Sequence, residues 1–151
     1  MVHKFMRMTC LALATAVLAA CSNEAPAPSA AGGRFDAASI ARGAALYDEH
    51  CAQCHGPQAQ GHPDWQTPSD GSFAAAPPLN GSGNDWKRSR GELIAVIRDG
   101  VKRKGGEAVM PGWEPRLNAR DIDDIVAWFQ SLWPPQVYES WYKANLGATK
   151  G

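Results

Sequence analysis

The chain has few of the parts from which the commoner functional sites are built. It holds four cysteines and four histidines in 151 residues. Only one Cys-x-x-Cys pair occurs, Cys51 and Cys54. A structural zinc site usually takes four ligands from two separated pairs, so zinc is disfavoured. No alternation of β-branched residues suggests a strand. That removes the βαβ setting in which a thioredoxin-like dithiol sits at the start of a helix. The longest apolar run, residues 8–20, falls short of the ~20 residues needed to cross a bilayer. Charge of either sign is not in excess: formal net charge is +0 with 20% charged residues. A nucleic-acid binder needs a basic surface, and none is expected here. No internal repeat is visible, and the length suits one modest domain.

The N-terminus is specialised. Lys4 and Arg7 precede the apolar run from Met8 to Ala20, the arrangement of a secretory signal. The junction Leu18-Ala19-Ala20-Cys21 resembles the bacterial lipobox, which implies a lipid on the Cys21 sulfur and cleavage just before it. Residues 21–34 are rich in Pro, Ala, Ser and Gly without apolar periodicity, and are expected to form a flexible linker. Removing residues 1–20 takes away Lys4 and Arg7 and leaves the mature chain slightly acidic. It also leaves Cys51 and Cys54 as the only thiols free of lipid.

The stretch Glu49-His50-Cys51-Ala52-Gln53-Cys54-His55-Gly56 holds the candidate site. With zinc and dithiol chemistry disfavoured, covalent haem attachment remains. Two thiols spaced by one helical turn reach the two vinyl groups of haem, and the adjacent His55 is held under the iron. The second axial ligand is sought by elimination. Met1, Met6 and Met8 leave with the signal, so Met110 is the only methionine of the mature chain. It lies in Val109-Met110-Pro111-Gly112-Trp113, where Pro111 fixes the backbone and Trp113 offers an aromatic wall for the haem. His62 is the rival, seven residues past His55 and within reach of an extended chain. Met110 is favoured. His/Met ligation is the combination of electron carriers.

The pattern predicts three main helices. The first spans about Ala37–Cys51, capped by Asp36, with Ile40, Ala44 and Tyr47 on one face. Gly43 inside it suggests that another helix approaches closely. The second spans about Gly91–Arg98, ended by Gly100. The third follows Asn118 and Asp121, a capping box. It carries Ile122, Ile125, Val126, Phe129, Leu132 and Trp133 at helical spacing, and Pro134 and Pro135 stop it. Loops 56–90 and 101–117 are long for a compact domain. A large flat cofactor at the centre would organise them.

From Phe35 to Trp133 the sequence resembles the class I c-type cytochromes. The carrying residues are Cys51-Ala52-Gln53-Cys54-His55, Pro77-Pro78-Leu79-Asn80-Gly81 and Met110-Pro111, with Gly43 and Tyr47 facing Trp128. The resemblance implies an all-α small cytochrome c fold, with three main helices and long loops around one covalent haem c. It also implies that the Pro77 carbonyl accepts from the His55 ring, a bond that orients an axial ligand. The domain is expected over residues 35–135, with residues 136–151 as a C-terminal extension whose Trp141 and Tyr142 pack on the domain or meet a partner.

The expected function is one-electron transfer by a carrier anchored through Cys21 in the bacterial cell envelope and facing the periplasm. Filled axial positions close the iron to substrate, so the chain is expected not to be an enzyme. The alternatives are a haem enzyme or sensor with a labile distal ligand, and a cytochrome subunit of a larger oxidoreductase. Two basic clusters, Lys87-Arg88-Arg90 and Lys102-Arg103-Lys104, are candidates to steer an acidic redox partner. Trp86, Arg88 and Arg98 are candidates for the haem propionates by residue type.

Overall fold

The computed structural model describes residues 34–67 and 75–145. The signal, Cys21 and the linker up to residue 33 lie outside the described residues. Helix α1, Ala37–His50, starts at Asp36, whose carboxylate accepts from the Ser39 amide at 2.8 Å. Such a cap contributes about 1 kcal/mol. Cys51 ends α1, and after that break the chain makes one more turn, α2, Ala52–His55. Helix α4, Ala119–Ser131, begins with the expected reciprocal cap: Asn118 accepts from the Asp121 amide while Asp121 accepts from that of Asn118. Its buried face is Ile122, Ile125, Val126 and Phe129.

Helices α1 and α4 form the centre of the fold, and Gly43 explains how closely they approach. A Cβ at Gly43 would lie 2.1 Å from the Asp124 carbonyl oxygen and 2.9 Å from the Trp128 Cβ. One turn on, the Tyr47 and Trp128 rings meet with centroids 4.3 Å apart. Arg42 closes the same crossing, its Nε donating to Asp124 Oδ2 at 2.9 Å.

Helix α3, Arg90–Asp99, is also reciprocally capped, by Ser89 and Glu92, and ends at Gly100 with φ +75°. It buries Leu93 and Ile97 against the same core. The sequence pattern located this helix but passed over its cap, because Ser89 is separated from the first apolar residue by a polar turn.

Two features were not expected. Val101–Lys102 (β1) and Ala108–Met110 (β2) pair antiparallel, with Val101 opposite Met110. The expectation of no strands is corrected here: strands of two and three residues are too short for alternation to show. Pro134 and Pro135 do end α4, yet Pro135 opens a further helix, α5, Pro135–Asn145. Proline suits the first helical position, where its missing N–H would have no partner. Helix α5 buries Tyr138 and Trp141. Trp141 meets Trp133 edge-on, centroids 5.6 Å apart at 87°, and Tyr138 meets Phe35 at 5.2 Å. Of the two tail aromatics, Trp141 is therefore packed on the core while Tyr142 stays exposed. The all-α class expected from the sequence holds. Among the described residues no helix is long and apolar enough to cross a membrane.

Candidate haem centre

The cysteine turn is built by backbone hydrogen bonds. The amides of Cys54 and His55 both donate to the Cys51 carbonyl, at 3.1 and 3.0 Å. Residues three apart on a turn share a face, so the two sulfurs lie on one side. Both thiols are free; Cys51 is buried and Cys54 exposed. Burial, and next the neighbouring Cys54, push the Cys51 thiol up to about 11. A reactive dithiol has the opposite property, a depressed attacking thiol.

His55 is 8% exposed. Its Nδ1 lies 2.8 Å from the Pro77 carbonyl oxygen. A carbonyl only accepts, so Nδ1 carries the proton and Nε2 keeps a lone pair. Burial holds the ring below its ordinary pKa, and the bond to Pro77 opposes this in part. A buried neutral imidazole with one nitrogen already fixed is suited to metal ligation through the other.

The Pro77 carbonyl is held from several directions. The loop after His55 turns back, its Gly61 amide donating to the His55 carbonyl at 2.7 Å. It then runs beside residues 76–79, with the His62 amide donating to Ala76 and the Leu79 amide to Ala59, at 2.9 and 2.8 Å. Gly61 (φ +71°) sits against this segment: a Cβ there would be 2.4 Å from the Pro78 nitrogen and 2.7 Å from the Pro77 carbonyl carbon. On the far side the Trp133 indole donates to the Leu79 carbonyl at 3.0 Å. The sequence pattern missed Gly61 and Trp133. Gly61 lies sixteen residues before Pro77, so nothing local signals their contact, and Trp133 read only as one more apolar position of the third helix.

Met110 is the last residue of β2 and packs, partly buried, against the core cluster that includes Cys51. The Trp113 amide donates to the Ile97 and Arg98 carbonyls, both at 3.1 Å, which pins the Met110–Trp113 turn to the end of α3. The Trp113 ring lies 5.1 Å from that of His50. His62 accepts through Nδ1 from the Asp64 amide at 3.1 Å and so folds onto its own loop. Two of the three propionate candidates are engaged elsewhere: the Trp86 indole donates to Gly83, and Arg98 pairs with Asp99. Of the basic clusters, Arg90 is tied to Asp123 and Gln130 and Lys87 lies over the Trp86 ring. Lys102 and Lys104 are exposed on the hairpin that leads to Met110.

Two free thiols on one turn, an imidazole with its second nitrogen available and a thioether on a fixed loop form a donor set that fits haem c. The helix pair and this turn define a c-type cytochrome. The chain matches the family described as "Cytochrome C oxidase, cbb3-type, subunit III" over residues 38–129, more than half its length, and belongs to that family. Among its relatives are the "Cbb3-type cytochrome c oxidase subunit CcoP" proteins of Azospirillum brasilense and Azospirillum sp. (strain B510). Each is 34% identical over 97 residues, covering 64% of this chain and 30% of the relative. The match thus spans under a third of those proteins. The expectation that the chain stands outside enzymes is corrected by this membership, because the family is that of an oxidase subunit. Filled axial positions would limit only what a bound iron could take up, and do not decide whether the chain serves in an enzyme.

Proposed function

We propose that residues 35–135 carry one covalent haem c and act as the electron-transfer domain of a larger oxidoreductase of the cbb3 oxidase kind, at the periplasmic face of a bacterial membrane. The observation that carries this is the 2.8 Å contact between His55 Nδ1 and the Pro77 carbonyl, beside two thiols on one turn. Cys51 and Cys54 would hold the group through their sulfurs, and His55 Nε2 and Met110 Sδ would be its axial ligands. Bound haem supplies an iron that gains and loses one electron. The chain contributes the rest: Pro77 orients His55, the buried core beside Cys51 excludes water, and the turn pinned by Trp113 fixes Met110. Family membership supports an oxidase subunit over a freely diffusing carrier.

The single Cys-x-x-Cys-His of this chain supports one haem. Cys21, followed by a linker to residue 34, supports a lipid anchor with the domain tethered above the membrane and residues 136–151 as an extension. Exposed Lys102 and Lys104 support an acidic redox partner.

The test is an optical spectrum, oxidised and reduced, of protein made in cells that mature c-type cytochromes. A sharp reduced α-band and the weak far-red band of ferric methionine ligation are expected, and Met110→Ala should abolish the far-red band alone. Covalent haem whose far-red band survives Met110→Ala would sink the ligand assignment. Copurification with oxidase subunits in mild detergent separates the subunit reading from a free carrier. Cys21→Ser should release the chain into the soluble fraction, and its persistence on membranes would rule out the anchor.

A further inference from the structure

We propose that Trp133 is a positioning residue for His55, acting through the backbone of residues 77–81, and that helix α5 holds Trp133 in that role. The proposal rests on the reading of His55 as an axial haem ligand.

The path is short and continuous. The Trp133 indole donates to the Leu79 carbonyl at 3.0 Å. Leu79 is two residues from Pro77, whose carbonyl meets His55 Nδ1 at 2.8 Å. The Leu79 amide is bonded on the opposite side, to Ala59 at 2.8 Å. The segment is therefore held between the loop that follows His55 and the end of α4. Contact with the indole is not confined to one bond. A Cβ at Gly81 would fall 3.1 Å from Trp133 Cγ and 2.9 Å from Pro134 Cδ, so the Trp133–Pro134 corner lies directly on this backbone.

Trp133 has little freedom to move away. It is 4% exposed, and Phe129, Tyr138 and Trp141 surround its ring with centroids 6.5, 6.3 and 5.6 Å distant. Tyr138 and Trp141 belong to α5, and α5 lies beyond residue 129, where the match to the family ends. This chain's own C-terminal helix is thus what braces the indole.

A carbonyl that accepts from a ligating histidine raises the ring's basicity, and losing such a partner typically costs roughly 10–100-fold in metal affinity or activity. Trp133 acts one step further out. Without its bond the Leu79 peptide is held on one side only, the Pro77 carbonyl tilts, and His55 donates less electron density. The ferric state needs that density more than the ferrous state. At a fixed applied potential the reduced fraction should therefore rise.

The test compares Trp133→Phe, which keeps a ring and loses the donor, with Trp141→Phe. Trp141→Phe keeps a ring against Trp133, and with it the brace, and loses only the indole's bond to the Arg88 carbonyl at 2.7 Å, which is off the path to His55. A third protein carries benzothienylalanine at position 133, which keeps the bicyclic shape and lacks the N–H. Each is matured with haem, and its redox titration, far-red band and melting temperature are recorded. Loss of the donor at position 133 should raise the reduced-to-oxidised ratio at fixed potential by up to about tenfold, below the loss of a direct partner. The far-red band should persist, and Trp141→Phe should lower the melting temperature without moving that ratio. An unchanged ratio in the benzothienyl protein overturns the proposal, as does an equal shift in Trp141→Phe. If the unsubstituted protein carries no covalent haem, or if His55→Ala leaves its ferric and ferrous spectra unchanged, the underlying ligand reading falls and takes this proposal with it.

Discussion

The Tyr47 hydroxyl donates to the Gly56 carbonyl at 2.9 Å, joining the last turn of α1 to the residue that follows His55. Tyr47 is 1% exposed, and burial, followed by the nearby Cys51, pushes its phenol well above the ordinary range. It therefore remains a donor at neutral pH. Tyr47→Phe should cost about 1 kcal/mol, the net worth of one hydrogen bond, in urea unfolding of the holoprotein. Tyr47→Ala should cost roughly 3–5 kcal/mol, because it also empties the ring's place against Trp128. Equal stability of the Phe variant and the parent would show that water replaces the hydroxyl at Gly56.

The ion pair at the helix crossing is asymmetric. The Asp124 side chain is 5% exposed and that of Arg42 is 40% exposed. Removing one partner of a buried pair is destabilising chiefly through the charge left behind. Arg42→Ala strands a buried carboxylate, whereas Asp124→Asn strands a guanidinium that water reaches. Arg42→Ala should therefore be the worse variant, by roughly 1–3 kcal/mol, in chemical unfolding followed by the Soret signal. The reverse order would mean that Asp124 is held by the backbone of α4 and not by Arg42.

Much of this was legible in the sequence, and the misses have a common cause. Gly43 announced a close neighbour because a glycine inside an amphipathic helix needs one, and the resemblance to the class I c-type cytochromes implied that it and Tyr47 face Trp128. Asp36, Asn118 and Asp121 announced their helix ends because capping chemistry is local. Gly61, Trp133 and α5 could not be read in the same way. Gly61 and Trp133 matter for contacts with residues 77–81 that are distant in sequence, and no local period encodes them. Helix α5 was hidden by Pro135, a residue that ends one helix and begins another. Of the basic clusters, composition alone could not say that Arg90 is spent on Asp123 while Lys102 and Lys104 stay exposed.

Asp85 gives the fold a pH dependence of its own. Burial raises its carboxyl above the ordinary value of 3.8, against the pull of the Gly81 amide and other nearby hydrogen-bond donors. Below 3.8 the group is protonated in the folded and unfolded chains alike. As pH rises through the raised folded value, the folded state must bury a charge, and stability is lost. Asp85→Asn keeps an acceptor for the Gly81 amide, which lies 3.3 Å from Oδ2, and cannot ionise. The stability of the Asn variant relative to the parent should grow from 3.8 upward and level off towards neutrality, when urea midpoints are compared at several pH values. A constant difference across that range would mean that Asp85 ionises as it does in water.

The hairpin supplies the last prediction, because it sets charge beside a proposed axial ligand. Val101 pairs with Met110, and Lys102 and Lys104 follow on the exposed side. Arg103 is partly neutralised by Glu107, 3.3 Å away, so the two lysines carry most of the hairpin's positive field. Charges at a rim act mainly on the rate of encounter, and salt screens them over about 10 Å at 0.1 M. Lys102→Glu/Lys104→Glu should slow electron exchange with an acidic redox protein by about tenfold at low salt, with the difference shrinking as salt is added. The spectrum and the melting temperature should stay close to those of the parent, since neither lysine is packed. Stopped-flow oxidation of the ferrous protein at two ionic strengths reads both effects. A rate that ignores the double reversal would place electron exchange at another face of the domain.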